Sequence, residues 1–259
     1  MQFSQTQIRL AVTVMAAAVM TAPVHAVPEQ SGIARALRDP ARGKDREQDA
    51  RRHPAELIAL AHIGPGQRVL DLIPGGGYWT RVFSNAVGPE GQVIAVWPQA
   101  YARLATRDVE SLRQLAARPH YTNVTVEVQQ SALPTASVPL DVVWTSQNYH
   151  DYEDAFLGKP GPEALARDAY RLLRPGGYFI VIDHRAAPRR GMADTETLHR
   201  IDPVIVRRQC EAAGFIFSGE SRSLTNAADP LKIKVFDPRI RGRTSQFAFA
   251  FRKPVTPRQ

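Results

Sequence analysis

The stretch Val69-Leu-Asp-Leu-Ile-Pro-Gly-Gly-Gly-Tyr78 decides the fold class of this chain. Its first half is an apolar run of buried-strand length, its second half a turn of one proline and three glycines, and an amphipathic segment from Tyr78 to Val87 follows at once. That order is strand, glycine loop, helix. Glycines let the main chain approach a ligand closely, and the N–H groups that open the helix favour a carboxylate or phosphate. Taken alone, such a loop is shared by dinucleotide binders and by many structural turns.

The alternation continues on the C-terminal side. Gly88-Pro-Glu-Gly91 turns into the apolar Val93-Ile-Ala-Val-Trp97, and Leu104, Val109, Leu112 and Leu115 then recur at near-helical spacing up to Arg118. Val124 to Val128 and Leu140 to Trp144 read as strands, Pro162 to Leu173 as a helix and Tyr178 to Asp183 as a fifth strand. Asp202-Pro203 starts a helix that Gly214 stops, Phe215 to Ser218 begins another strand, and Gln246-Phe-Ala-Phe-Ala-Phe-Arg252 alternates strictly. The expected fold is α/β: a doubly wound, mainly parallel seven-stranded sheet with helices on both faces and an antiparallel last strand. Upstream, Arg42, Asp45, Asp49 and Arg52 recur three and four apart, which predicts one face of a helix. That face is either a solvated leader or a set of charges closing over a ligand pocket. Pro54 then opens a short helix over Ala55 to His62, so residues 27–53 form a charged helical leader and 54–259 the main domain.

Composition narrows the classes further. With 44% hydrophobic and 22% charged residues in 259, the chain is neither disordered, collagenous nor a coiled coil throughout. Its single cysteine, Cys210, excludes an intrachain disulfide and a cysteine-based zinc finger. The formal charge is +8, but the basic run Arg239 to Arg243 lacks interleaved aromatics, so no nucleic-acid partner is expected. Residues 1–26 run from a polar start ending at Arg9 through an apolar stretch to Val24-His-Ala26, the pattern of a secretory signal peptide cleaved after Ala26. A periplasmic address follows. No other apolar stretch approaches about 18 residues, so no stable membrane insertion is expected after cleavage. The sequence sets no oligomeric state.

From Pro54 to Pro254 the chain resembles the class I S-adenosylmethionine-dependent methyltransferases. The resemblance rests on Asp71-Leu-Ile-Pro-Gly-Gly-Gly77, Asp141-Val-Val-Trp144, Leu172-Leu-Arg-Pro-Gly-Gly-Tyr178 and Ala213-Gly-Phe215. More narrowly, Arg52-His-Pro54, Asn148-Tyr-His-Asp151, Asp183-His184, Leu198-His-Arg-Ile-Asp202 and Val235-Phe-Asp-Pro238 are similar to a bacterial subfamily of exported, predicted methyltransferases. The resemblance implies S-adenosylmethionine as cofactor, held by Asp71, Pro74, Gly75, Gly76, Gly77 and Tyr78. It departs from the family at the end of the second strand, where Trp97 replaces the acid that takes the ribose hydroxyls, and after the third, where Ser131 stands near the adenine position. Ile73 replaces the usual first glycine. The missing acid also argues against a nicotinamide dinucleotide.

Ligands of open α/β sheets bind beyond the carboxyl ends of the strands, where Asn148, His150, Asp151, Asp183 and His184 should gather. These are the candidate catalytic residues, with His150 as a general base oriented by Asp151 or Asp183. Tyr149, His199 and Arg200 are candidate substrate contacts. His150, Asp151, Asp183, His184 and His199 could alternatively gather round a divalent ion, but no metal-ligand spacing lies within one element, so no metal is assigned. The expected activity is methyl transfer to a small molecule; the alternative is an exported binding module that kept the fold and lost the cofactor, its pocket plugged by Trp97 and Tyr78. A metal-dependent hydrolase is a third possibility.

Overall fold

The structure, a computed structural model, describes residues 28–255. The signal peptide expected over residues 1–26, with its cleavage point after Ala26, lies outside the described residues. The chain enters through α1 (Pro28–Arg38), a 3-10 segment (Pro40–Gln48), α2 (Asp49–Arg52) and α3 (Pro54–Leu60). There follow β1 (Arg68–Leu72), α4 (Tyr78–Val87), β2 (Gln92–Pro98), α5 (Gln99–Leu104), α6 (Thr106–Ala116), β3 (Val124–Gln129) and β4 (Leu140–Ser146). The second half holds α7 (Pro162–Leu172), β5 (Leu173–His184), α8 (Thr195–Leu198), α9 (Pro203–Ala212), β6 (Ile216–Ser221) and β7 (Gln246–Arg252).

The seven strands form one sheet in the order β3-β2-β1-β4-β5-β7-β6. The first five run parallel, and β7 lies antiparallel between β5 and β6, as its alternating sequence predicts. Strand order reverses between β1 and β4, and at such a switch point a crevice opens beyond the carboxyl ends of the strands. The glycine loop after β1 and the Asn148 loop after β4 therefore border the same space.

Each face of the sheet carries its own apolar layer. The alternation of β7 shows why: Phe247, Phe249 and Phe251 pack with Leu165, Phe179 and Phe215 on one face, while Ala248 and Ala250 meet Val82, Phe83, Trp144 and Ile180 on the other. The central strands are buried on both sides, so β1 and β4 are dominated by apolar residues, with Asp71 and Thr145 buried among them. At the start of α9, Asp202 accepts from the Val204 N–H at 3.0 Å, the cap its sequence announces.

Three elements differ from the sequence reading. Arg42, Asp45, Asp49 and Arg52 do not share a continuous helix face, because Gly43 (φ 52°) kinks the 3-10 segment. The stripe expected from Leu104 to Arg118 is split at Ala105, leaving Leu104 exposed at the end of α5. β5 begins five residues earlier than expected, through the Arg-Pro-Gly-Gly run. There a Cβ on Gly177 would stand 2.9 Å from the Asp141 carbonyl oxygen, so the close strand approach requires glycine.

Candidate active site

A cavity of about 630 Å³ opens at the switch point. Asp71, Ile73, Pro74, Gly75, Gly76, Tyr78 and Trp79 line it from the β1 loop and α4; Trp97, Tyr101 and Asp108 line it from β2, α5 and α6. Asn148, His150 and Asp151 reach it from the β4 loop, His184 from the end of β5 and His199 from the end of α8. Trp97 and Tyr78 border this space without plugging it.

The glycines divide their work. A Cβ on Gly75 or Gly76 would meet no atom of the described residues within 4 Å, so the backbone there is bare towards the cavity. Gly77 is not among the lining residues: at φ +78° its absent Cβ would lie 2.5 Å from Leu112 Cδ1, which makes it a packing glycine. Ile73, where the usual first glycine is replaced, sits at φ +54°, an unfavourable region for a β-branched residue. Its buried side chain and its N–H bond to the Val96 carbonyl at 2.8 Å hold it there.

Asp71 is fully buried, and its Oδ2 accepts from Thr80 Oγ1 at 2.6 Å. Burial pushes its carboxyl up to about 7, so the site favours a cationic partner that would let it ionise. The leader charges close over this end. Tyr78 donates to Asp49 Oδ1 at 2.7 Å, Arg42 donates to Asp49 Oδ2 at 2.9 Å, and the Arg52 guanidinium lies 4.5 Å from the centre of the Tyr78 ring. Arg81 pairs with Asp45 and donates to the Gly76 carbonyl at 2.8 Å. Asp45, Gln48 and Arg52 thus become lining residues, the second of the two expectations for the leader.

On the far side of the cavity His150 is clasped. Its Nδ1 is 2.8 Å from Asp183 Oδ1 and its Nε2 is 3.0 Å from Asp151 Oδ1 and 3.2 Å from His199 Nδ1. Burial opposes a charged ring, but Asp183 and Asp151 outweigh it and hold His150 well above the ordinary imidazole value. The same pairing holds Asp151 below the carboxylate range against its own burial. In this state His150 carries a proton rather than offering the free lone pair a general base needs. His184 is the opposite case: burial lowers it to about 4, and its Nδ1 shares a 2.8 Å contact with Thr244 Oγ1. Asn148 lines the cavity with a buried Oδ1 that has no hydrogen-bond partner among the described residues.

Three candidate contacts turn away from the cavity. Ser131 is exposed on its own loop, where Oγ accepts from the Leu133 N–H at 3.0 Å, so a local turn uses the hydroxyl expected at the adenine. Tyr149 is buried with its hydroxyl on Gln209 Oε1 at 3.2 Å. Arg200 is fully buried in a two-pronged ion pair with Asp229, both contacts 3.0 Å, and cannot reach a substrate. Asp183 also lies behind the lining residues and acts through His150. Conversely, sequence reasoning missed Asp108, in the first turn of α6, which brings a carboxylate to the cavity that Trp97 of β2 also lines.

This topology and loop placement decide the fold. The chain has the class I methyltransferase fold. Residues 44–147, less than half of the chain, match the protein-L-isoaspartate(D-aspartate) O-methyltransferase (PCMT) family. The ubiquinone/menaquinone biosynthesis C-methyltransferase UbiE of Legionella pneumophila (strain Lens) is 32% identical over 127 residues, 49% of this chain and 46% of that protein. The UbiE of Pseudomonas syringae pv. tomato is 30% identical over 127 residues, 49% of this chain and 45% of its own length. The chain thus aligns with about half the length of these curated relatives. Among solved structures, a SAM-dependent methyltransferase from Aquifex aeolicus superposes with TM-score 0.56 at 17% identity, covering 86% of this chain and 97% of its own. The [4+2]-cyclase SpnF superposes with TM-score 0.57 at 18% identity over 82% of this chain and 81% of its own. The methyltransferase fold is therefore common to both, and the reaction must be argued from the site. Among the described residues, no helix is long and apolar enough to cross a membrane.

The site residues fit S-adenosylmethionine. Gly75 and Gly76 offer uncovered backbone, Asp71 a buried carboxyl in want of a cation, Trp97 a buried indole N–H without a partner among the described residues, and Asp108 a further carboxylate lining the same cavity.

Proposed function

We propose that this protein transfers a methyl group from S-adenosylmethionine to a small molecule. The observation that carries the reading is the open cavity with bare glycine backbone and buried Asp71 at one end and the Asn148, His150, Asp151 and His199 cluster at the other. In this reading Asp71 takes the cofactor's ammonium group, Gly75 and Gly76 admit its amino-acid end, and Trp97 and Asp108 face the nucleoside. When bound, the cofactor supplies a methyl carbon attached to a positively charged sulfur.

The chain's own contribution is alignment and exclusion of water. Asn148 offers an unpaired buried acceptor to whatever group comes to rest beside it. Asp183 fixes the His150 ring, so the polar cluster has one orientation before substrate arrives. The arched leader, tied by the Asp49 bonds to Arg42 and Tyr78, covers the cofactor end. The exported location belongs to this reading on the order of residues 1–26, and then requires a cofactor supply outside the cytoplasm.

The test is transfer of label. The protein is incubated with methyl-labelled S-adenosylmethionine and small-molecule extracts of a source bacterium, and label is followed into the non-cofactor fraction. Transfer lost in an Asn148→Ala variant that still binds cofactor supports the reading; failure of label to leave the cofactor with any extract contradicts it.

A further inference from the structure

We infer that His150, Asp151 and His199 form a binding site for one divalent first-row transition ion at the substrate end of the cavity. The three atoms involved, His150 Nε2, Asp151 Oδ1 and His199 Nδ1, stand 3.0, 3.2 and 3.7 Å from one another. Ligand atoms each about 2.1 Å from a common ion lie roughly 3.0 to 3.4 Å apart, according to whether the geometry is octahedral or tetrahedral. The observed triangle therefore needs movements of only a few tenths of an ångström to close on a metal. Two imidazoles and one carboxylate suit zinc, iron(II), cobalt or nickel better than magnesium or calcium.

A second observation is independent of this spacing. Asp183 receives the backbone N–H of His150 at 2.9 Å and that of His184 at 2.6 Å, and a carboxylate so placed is an acceptor only. The third contact, from His150 Nδ1 at 2.8 Å, must then be a ring N–H donating to Asp183. This fixes the tautomer with the Nε2 position facing Asp151 and His199, the arrangement in which a carboxylate steadies a metal-bound histidine from behind. The charges also balance: a dication between two neutral imidazoles answers Asp151 in contact and Asp183 behind. His150 and Asp151 are almost fully buried while His199 keeps about a fifth of its side chain exposed. All three line the cavity, so an ion held by them has coordination positions left on the cavity side. Asp183 is here a positioning residue.

The local backbone keeps His199 in place. It adopts φ +54° just after α8, and the next residue, Arg200, is pinned through Asp229 and the carbonyls of Arg185 and Ile233. The ring rests against Phe236, centroids 4.9 Å apart.

The test uses the full chain stripped with a chelator and titrated with Co²⁺, read by its visible absorption, with Zn²⁺ competition and metal analysis after dialysis. One equivalent of Co²⁺ with a low-coordinate spectrum is expected. His199→Ala and Asp151→Asn should each weaken binding by more than a hundredfold, and Asp183→Asn by roughly ten- to a hundredfold with an altered spectrum. His199→Gln, at a partly exposed position, serves if the buried variants fail to fold, circular dichroism being the check. A folded wild-type protein that takes up no Co²⁺, or one whose affinity is unchanged in His199→Ala and His199→Gln, overturns the inference, leaving a protonated His150 as the occupant. S-adenosylmethionine binding is measured on the same samples: cofactor binding without Co²⁺ sinks the ion alone, and Co²⁺ binding without cofactor sinks the methyl-transfer reading alone.

Discussion

Asp183 holds both the ring and the backbone of His150: Oδ1 faces Nδ1 at 2.8 Å and Oδ2 accepts the main-chain N–H at 2.9 Å. One carboxylate at the end of β5 therefore sets the position and ring orientation of a histidine in the loop after β4, across two adjacent parallel strands.

Asp183→Asn should be damaging although the shapes match. An amide has one acceptor oxygen, so its NH₂ group must face one of the N–H donors that Asp183 now satisfies. We expect a loss of about 2–4 kcal/mol in urea unfolding, from a buried donor left unpaired. A variant as stable as wild type would show that the clasp does not exist in solution.

Arg200→Ala should destabilise by about 3–5 kcal/mol, because it leaves the Asp229 carboxylate buried without its partner. Asp229 also accepts from the N–H groups of Leu231 and Ser245, so Asp229→Ala should be at least as harmful. Denaturation midpoints check both. Turnover of whatever Arg200→Ala protein remains folded should fall through displacement of His199, since Arg200 is not exposed to the cavity.

The two loop glycines should separate stability from binding. Gly77→Ala forces a methyl group against Leu112 at positive φ and should cost about 2–3 kcal/mol. Gly75→Ala meets no protein atom and should cost about 1 kcal/mol for its positive φ, while weakening cofactor binding by about tenfold or more. Thermal unfolding and titration of the two variants distinguish these outcomes.

Asp71 makes the protein's stability and its binding respond to pH in opposite senses. Its carboxyl is raised from 3.8 to about 7, so across that window the folded state retains a proton that the unfolded state has lost. Stability of the unliganded protein should therefore fall as pH rises from about 4 to 7, by about 4 kcal/mol from this group. A ligand ammonium requires the ionised form, so affinity should rise up to tenfold per pH unit below about 7 and level off above it. Asp71→Asn should flatten both dependences, as followed by denaturant unfolding and calorimetry across pH.

The elements were legible where the pattern is local. Phe247 to Phe251 announces a strand with two unlike faces, Asp202-Pro203 a capped helix, and Gly75 to Gly77 the loop beneath the cavity. What stayed hidden depends on contacts between distant segments. His199 meets His150 across 49 residues and Arg200 meets Asp229 across 29, so the sequence offers the histidines and carboxylates of an ion cluster but no spacing that singles out His150, Asp151 and His199, and none that pairs Arg200 with Asp229. Ser131 and Tyr149 were misplaced for a related reason: position in the chain puts them near the cavity, but side-chain direction turns one to its own loop and the other to Gln209. The kink at Gly43 likewise undoes a helical face that the charge spacing had promised, while delivering Asp45 and Arg52 to the cavity.

The most direct measurement of the central claim is calorimetric titration of the purified protein with S-adenosylmethionine and with its demethylated product, beside the Asp71→Asn variant. The account predicts one micromolar site for both ligands in the wild type, weakened at least tenfold in the variant. A folded wild-type protein that binds neither ligand would contradict it.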